Sequence, residues 1–411
     1  MMNEEILRKY ARLAVVSGSN VQPGQLLVIR ASVRDWQFVE YCVEEAYKAG
    51  AKEVTVDWSD ENITHMHYEY QSMETLCEIP DWSEEKVKWE HDSKCAYLNI
   101  SSGTPGLMSD IDLEKMQKSM MARMKRMRKY QPYTMNNLGQ WSIVALPNPK
   151  WAKKVFPDRS EEEAVQALWQ AILFSVRVRE DNDPVKEWQQ HDARLRKHCD
   201  VLNSHQFHTL HFENSKGTDL KVGLVRNHIW VGGGCSTPEG VFFNPNMPTE
   251  ECFCMPDRNN VNGRVYASKP LNYAGKLVED FWFEFKDGVV VDYGAAKNKE
   301  ALTQLLDTDE GARHLGEVAL ISFDSPISNL NILFYNTLFD ENASCHLALG
   351  RCYPENVEGG IEMSEEQLLA VGGNSSMEHV DFMFGTSDMK VTGIKDDGSE
   401  VTVFTDGNFA I

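Results

Sequence analysis

Positive charge is scarce in this chain. Its 411 residues carry 41 lysines and arginines against 62 aspartates and glutamates, a formal net charge of -21. A surface of that sign repels phosphate backbones and anionic lipid, so neither nucleic acid nor a membrane surface is expected as a partner. Paired cysteines are absent too: the nine cysteines are scattered and none form a C-x-x-C pair. That excludes a thiolate zinc knuckle and argues against a disulfide framework. Such usage suits a reducing compartment, and a cytoplasmic protein is the expectation. No stretch reaches the apolar length of a membrane span, and Met1 to Lys9 opens with acids rather than an apolar signal core. Several catalytic signatures are missing as well. No G-x-G-x-x-G follows the first strand-like run, Gly232-Gly233-Gly234 lacks a P-loop lysine, and no G-x-S-x-G elbow occurs.

The remaining composition is that of an ordinary folded protein, 42% hydrophobic and 25% charged. In the first half, apolar strand-length runs (25–31, 53–58, 96–100 and 142–146) alternate with helical patterns (35–48, 112–130 and 162–179). Strands alternating with helices predict an α/β domain with a mainly parallel sheet, over residues 1–190. The basic run Arg123 to Lys129 reads as the solvated face of a helix whose methionines turn inward. Beyond a charged connecting helix the pattern changes to short β-rich segments (207–212, 220–225, 277–286 and 289–293), with Asp287-Gly288 as a hairpin signal. Residues 191–411 are therefore expected to form a β-rich domain that carries the chemistry.

Candidate metal ligands concentrate there: one of Glu250 and Glu251, then Glu317, His346, His379 and Asp381. His379-Val380-Asp381 is an H-x-D pair, and residues two apart on a strand share a face. Glu317 interrupts the apolar run Leu315 to Leu320, where a buried carboxylate needs a partner. Mixed nitrogen and oxygen donors suit Zn²⁺, Mn²⁺ or Co²⁺. Each residue alone is more often structural than ligating. Two other histidine groups compete weakly: His205, His208 and His211, and His65 with His67.

Longer strings are more specific. Asn246-Met247-Pro248-Thr249-Glu250-Glu251, Leu315 to Ala319, Phe334 to His346, and Asn374 to Ser376 with His379 to Met383 resemble the signatures of the M29 family of metallo-aminopeptidases, the AmpS/PepS-like group. The similarity runs along the chain and is densest from Asn246 to Phe384.

The resemblance implies an α/β domain followed by a β-rich catalytic domain, a homodimer, and two divalent ions (Zn²⁺, Co²⁺ or Mn²⁺) that activate water. Its activity would be removal of the N-terminal residue from peptides with a free amino terminus. Carried onto this sequence, the ligands would be Glu251, favoured over Glu250 by family spacing, with Glu317, His346, His379 and Asp381. Tyr353 would stabilise the oxyanion, Glu250 would relay a proton, and Asp340 or Glu341 would orient His346. Two rivals remain at this level: a metal-free hydrolase with paired carboxylates, and a two-lobed binding protein without turnover.

Overall fold

The computed structural model describes residues 3–273 and 276–411. The chain divides into two compact units. The first is Met1–Gln190 with Gly234–Pro248, and the second is His191–Gly233 with Thr249–Ile411.

The first unit contains a four-stranded parallel sheet. Its strands are β1 (Leu26–Ser32), β2 (Glu53–Ser59), β3 (Ala96–Ser101) and β4 (Trp141–Ala145), in the order β2-β1-β3-β4. Leu26 to Ile29 are all buried, as expected of a parallel strand covered on both faces. The helix α1 (Trp36–Lys48) makes the crossover from β1 to β2. It turns Phe38, Val39, Tyr41, Cys42 and Ala46 inward at helical spacing.

One expectation fails in this unit. The helix α2 (Leu113–Met127) holds Arg123 to Met127 of the basic run, yet Met120, Met121 and Met124 are exposed, the last at 48%. This helix places basic side chains and these methionines together on its outer surface.

The helix α3 (Pro184–His205) carries the chain from the first unit into the second. Among the described residues the second unit holds two large antiparallel sheets and a two-stranded ribbon, Leu271–Tyr273 with Lys276–Val278. The larger has eight strands, in the order Val289–Gly294, Trp282–Lys286, Pro256–Tyr266, Asp219–Leu224, Thr209–Glu213, Lys390–Ile394, Glu400–Thr405 and Asn408–Phe409. Asp287 and Gly288 both adopt positive φ, 49° and 85°, and close the hairpin between Trp282–Lys286 and Val289–Gly294. That is the backbone a two-residue turn of this hand requires. The single run expected over 277–286 is two strands instead, Lys276–Val278 and Trp282–Lys286. Between them Asp280 takes φ 47°, which no continuous strand tolerates.

The second sheet has five strands: β5 (Val231–Gly232), β6 (Cys252–Cys254), β7 (Leu315–Leu320), β8 (His346–Gly350) and β9 (His379–Met383). They lie in the order β9-β8-β7-β6-β5, each antiparallel to its neighbour. One face of this sheet contributes Cys252, Cys254, Val318, Leu320, Leu347, Leu349 and Phe382 to the main hydrophobic core.

Candidate metal centre

Strand alternation dictates the other face. The register pairs Ala319 with His346, and Ala348 with both Glu317 and Asp381. Gly350 pairs with His379, and Phe253 with Ala319. Side chains of one parity on neighbouring strands share a face. Phe253, Glu317, Ala319, His346, Ala348, His379 and Asp381 therefore stand together, and Glu251 precedes β6 in the same parity. The apolar alternates anchor the sheet in the core, and this holds the polar set at fixed spacing. The small residues Ala319 and Ala348 leave room between the long polar ones.

The polar atoms converge. Glu317 reaches His346 Nε2 with Oε1 at 3.4 Å and His379 Nε2 with Oε2 at 3.2 Å. Asp381 Oδ1 lies 3.5 Å from His379 Nε2 and 3.9 Å from His346 Nε2, and Glu251 Oε2 lies 3.5 Å from His346 Nε2. Two donor groups result, Glu251-Glu317-His346 and Glu317-His379-Asp381, and Glu317 belongs to both. The ring of His379 is oriented from behind: its Nδ1–H donates to the Arg351 carbonyl at 2.7 Å, which turns Nε2 toward the cluster.

Burial makes the electrostatics severe. Desolvation pushes Glu251 upward, and the neighbouring Glu317 and Asp381 add to it, so its carboxyl rises to about 7. Glu317 is equally buried, but hydrogen bonds from His346 and His379 outweigh that cost and hold it down at about 2. Burial pulls His346 down, and Glu317, Asp381 and Glu251 overcome it, leaving the imidazole at about 10. His379 is raised against its burial by Asp381 and Glu317.

Other residues join or leave the expected set. Glu341, on the short 3-10 turn Glu341–Ala343, is raised well above the ordinary carboxylate range, first by burial and then by Asp381 and Glu251. It is a fourth carboxylate directed at the cluster, and no periodicity marks it in the sequence. The expectation that Asp340 or Glu341 orients His346 finds no hydrogen bond. Asp340 instead accepts the Phe334 and Asn336 N–H groups at 2.7 and 2.9 Å, and among the described residues His346 Nδ1 has no hydrogen-bond partner. The Tyr353 ring lies 4.8 Å from that of His379 and 5.8 Å from that of Phe253. Burial raises its phenol, and Glu317 and Asp381 raise it further, so the hydroxyl keeps its proton. Glu250 is placed differently from Glu251: its Oε2 lies 3.7 Å from His191 Nε2, and its N–H donates to Asn342 Oδ1 at 2.8 Å. The competing histidines disperse. His205 ends α3, His208 bonds its neighbour Thr209, His211 pairs with Asp219, and His65 with Asp110.

Comparison with known proteins identifies the family. The family model for the thermophilic metalloproteases, M29, matches residues 3–409. The chain belongs to the M29 family. Aminopeptidase AmpS of Bacillus subtilis is 43% identical over 404 residues, covering 98% of each chain. Aminopeptidase 2 of Geobacillus stearothermophilus is 42% identical over 99% of this chain and 98% of its own. The solved structure of wild-type AmpT from Thermus thermophilus superposes with a TM-score of 0.92 at 38% identity, covering 99% of this chain and 100% of that one. A 2,5-dihydroxypyridine dioxygenase from Pseudomonas putida shares only the fold, with a TM-score of 0.54 at 11% identity. This M29 protein is a metallo-aminopeptidase, a peptide hydrolase.

The donor set fits the divalent metal that the family implies. Asp381 Oδ1 is buried without a hydrogen-bond partner among the described residues. An unsatisfied buried carboxylate oxygen is costly unless a cation meets it. The four carboxylates outnumber the two imidazoles, so protons on the histidines alone leave a buried negative surplus.

Proposed function

We propose that this protein removes the N-terminal residue from peptides using two divalent ions, Zn²⁺, Co²⁺ or Mn²⁺. Glu251, Glu317 and His346 would hold one, and Glu317, His379 and Asp381 the other, with Glu341 as a further carboxylate donor. The observation that carries two ions rather than one is Glu317, which directs one oxygen toward each imidazole and is common to both groups. Four carboxylates would also balance two divalent charges. Bound there, the ions would lower the pKa of water to supply a nucleophile at neutral pH and polarise the scissile carbonyl.

The chain's own residues take the remaining tasks. Glu317 sets the spacing between the two donor groups. Arg351, through its carbonyl, keeps His379 in the tautomer that presents Nε2. Tyr353 keeps its phenolic proton and donates a hydrogen bond to the oxyanion that forms as the carbonyl is attacked. Glu250 carries a proton to the leaving amine. Its Oε2 lies 3.7 Å from His191 Nε2, whose N–H donates to the Thr249 carbonyl at 2.7 Å. A homodimer, by family likeness, and a cytoplasmic location, by the unpaired cysteines, complete the proposal. The expected boundary near residue 190 is kept, with the chemistry in the unit made of His191–Gly233 and Thr249–Ile411.

Release of p-nitroaniline from leucine p-nitroanilide tests the reading, with and without chelator and with each metal restored. Activity lost to chelator and recovered with metal is expected. No release with any metal, across several aminoacyl substrates, would leave a metal-binding protein without turnover. Activity indifferent to chelator would favour paired carboxylates alone.

A further inference from the structure

The second unit contains a cavity of about 450 Å³ that no metal donor lines. Its lining holds one cation, Lys269, and no carboxylate. That absence stands out in a chain with 62 acids against 41 lysines and arginines. Hydroxyls and an amide line the same cavity, from Ser268, Ser328, Asn331, Thr386 and Ser387. We propose that this cavity binds a carboxylate, with Lys269 as its charged donor and the hydroxyls and amide as its neutral ones. The carboxylate belongs either to the free C-terminal end of a short peptide substrate or to a free small acid. The first source rests on the aminopeptidase reading; the site itself does not.

Three observations support it. The first is a charge without a counter-ion. Lys269 is half-buried, yet among the described residues its ammonium has neither an ion-pair nor a hydrogen-bond partner. Burial pulls it below the usual lysine range, and the field of Asp340 offsets only part of that. Asp340 is itself committed, since its oxygens accept the Phe334 and Asn336 N–H groups. Charges taken out of water are ordinarily paired, so an anion is the missing part. The second is a hydroxyl in the same state. Ser268 Oγ is buried and has no hydrogen-bond partner among the described residues. The third is the fit of charge and size. One cation balances one negative charge, which is that of a carboxylate; phosphate carries more and is usually met by several cations or a guanidinium fork. A single water needs roughly 10–15 Å³ by the same kind of measure, so the cavity has room for a carboxylate and the residue that bears it. It also shares Pro270 and Leu333 with the narrower cleft that Asp381 and Glu341 border. The far end of a short peptide held at the metal donors is therefore a nearby source of that carboxylate.

Calorimetric titration of the metal-loaded protein with N-acetylglycylglycine tests the site. This probe has a free carboxylate but no free amino end, so it is not a substrate. Saturable binding is expected, and the C-terminal amide of the same probe should not bind. Lys269→Gln should weaken binding by about 10-fold or more, the scale of a lost charge-assisted hydrogen bond, while Lys269→Arg keeps most of it. No binding to the wild type would overturn the site. So would binding that Lys269→Gln leaves unchanged, which would put the carboxylate on the metals instead. Hydrolysis of Leu-Gly-Gly and of its C-terminal amide then separates the two sources. If the substrate supplies the carboxylate, the wild type prefers the free acid by about 10-fold in kcat/KM and Lys269→Gln erases that preference. Equal kcat/KM for the two, with the probe still bound through Lys269, assigns the site to a free small acid. Cleavage of neither peptide with metal supplied would overturn the aminopeptidase reading and leave the binding result standing.

Discussion

Ala348 stands directly across the ladder from Asp381, and on its other side it pairs with Glu317. Its methyl group is therefore the floor between the two donor groups. Any larger side chain there would occupy the volume proposed for metal. Ala348→Val keeps strand propensity and adds two methyl groups at that point. Overpacking of a buried site costs ~1–3 kcal/mol, which the second unit's core should survive. Metal content, read by elemental mass spectrometry, should fall below that of the wild type. Turnover should drop by about 100-fold or more, as expected when reacting groups are misplaced by about 1 Å. A folded variant with full metal and full activity would show that the ions are held elsewhere.

Glu317 and His379 make a second test. Glu317→Gln keeps the shape but removes the charge shared by both imidazoles, and His379→Ala removes the only nitrogen donor of the second group. Each should abolish turnover and lower metal content while far-ultraviolet circular dichroism stays that of the wild type. Substantial chelator-sensitive activity in either variant counts against the ligand assignment.

The protonation of the metal-free cluster gives a pH prediction. His346 is held at about 10, so below that pH the metal-free protein carries a buried imidazolium. A cation entering the site must expel that proton, and near neutrality one from Glu251 as well, whose carboxyl stands at about 7. Calorimetric metal titrations at pH 8, in buffers of different ionisation enthalpy, should reveal release of at least the His346 proton, and the raised His379 and Glu341 add to it. The same shifts set a stability trend. A histidine raised from 6.5 to about 10 contributes stability that is full below 6.5 and lost as pH rises through 10. The raised Glu251 acts in the same direction, since its ionisation costs folding energy above 4.5. Glu317, held at about 2, opposes only at acid pH. The melting temperature of the metal-free protein should therefore fall between pH 7 and 10, and metal-loaded protein should fall less. Equal slopes for the two forms would separate the histidines from the metal site.

The sequence makes some of this arrangement readable and hides the rest for physical reasons. β1 and β3 show as apolar runs because they lie inside the sheet and are largely buried, whereas the edge strand β2 has no buried residue; β1 begins and ends within one residue of the run that marks it. The H-x-D spacing of His379 and Asp381 states that two side chains share a strand face. It does not state which face of which neighbouring strand they meet. That depends on the pairing of β8 with both β7 and β9, which joins residues about 30 positions apart in sequence. Glu341 was harder still, because a 3-10 turn carries no repeat that points a residue anywhere. The outward methionines of α2 show the converse error: a periodic apolar pattern is evidence of a buried face only where another element covers it.

The last prediction isolates one atom. Tyr353→Phe removes the phenolic hydroxyl and keeps the ring that packs near His379 and Phe253. Fold, metal content and KM should change little, since neither a metal donor nor an apolar contact is lost. If the hydroxyl donates to the oxyanion, its loss is felt only as charge develops, and kcat should fall by about 100- to 1,000-fold. The phenol of Tyr353 is raised by burial and by the carboxylates around it. The alkaline limb of the wild-type rate profile should thus not be its titration, and the Phe variant should keep that limb at the same pH. A variant with unchanged kcat would remove Tyr353 from the chemistry, and a fall confined to KM would reassign it to substrate binding.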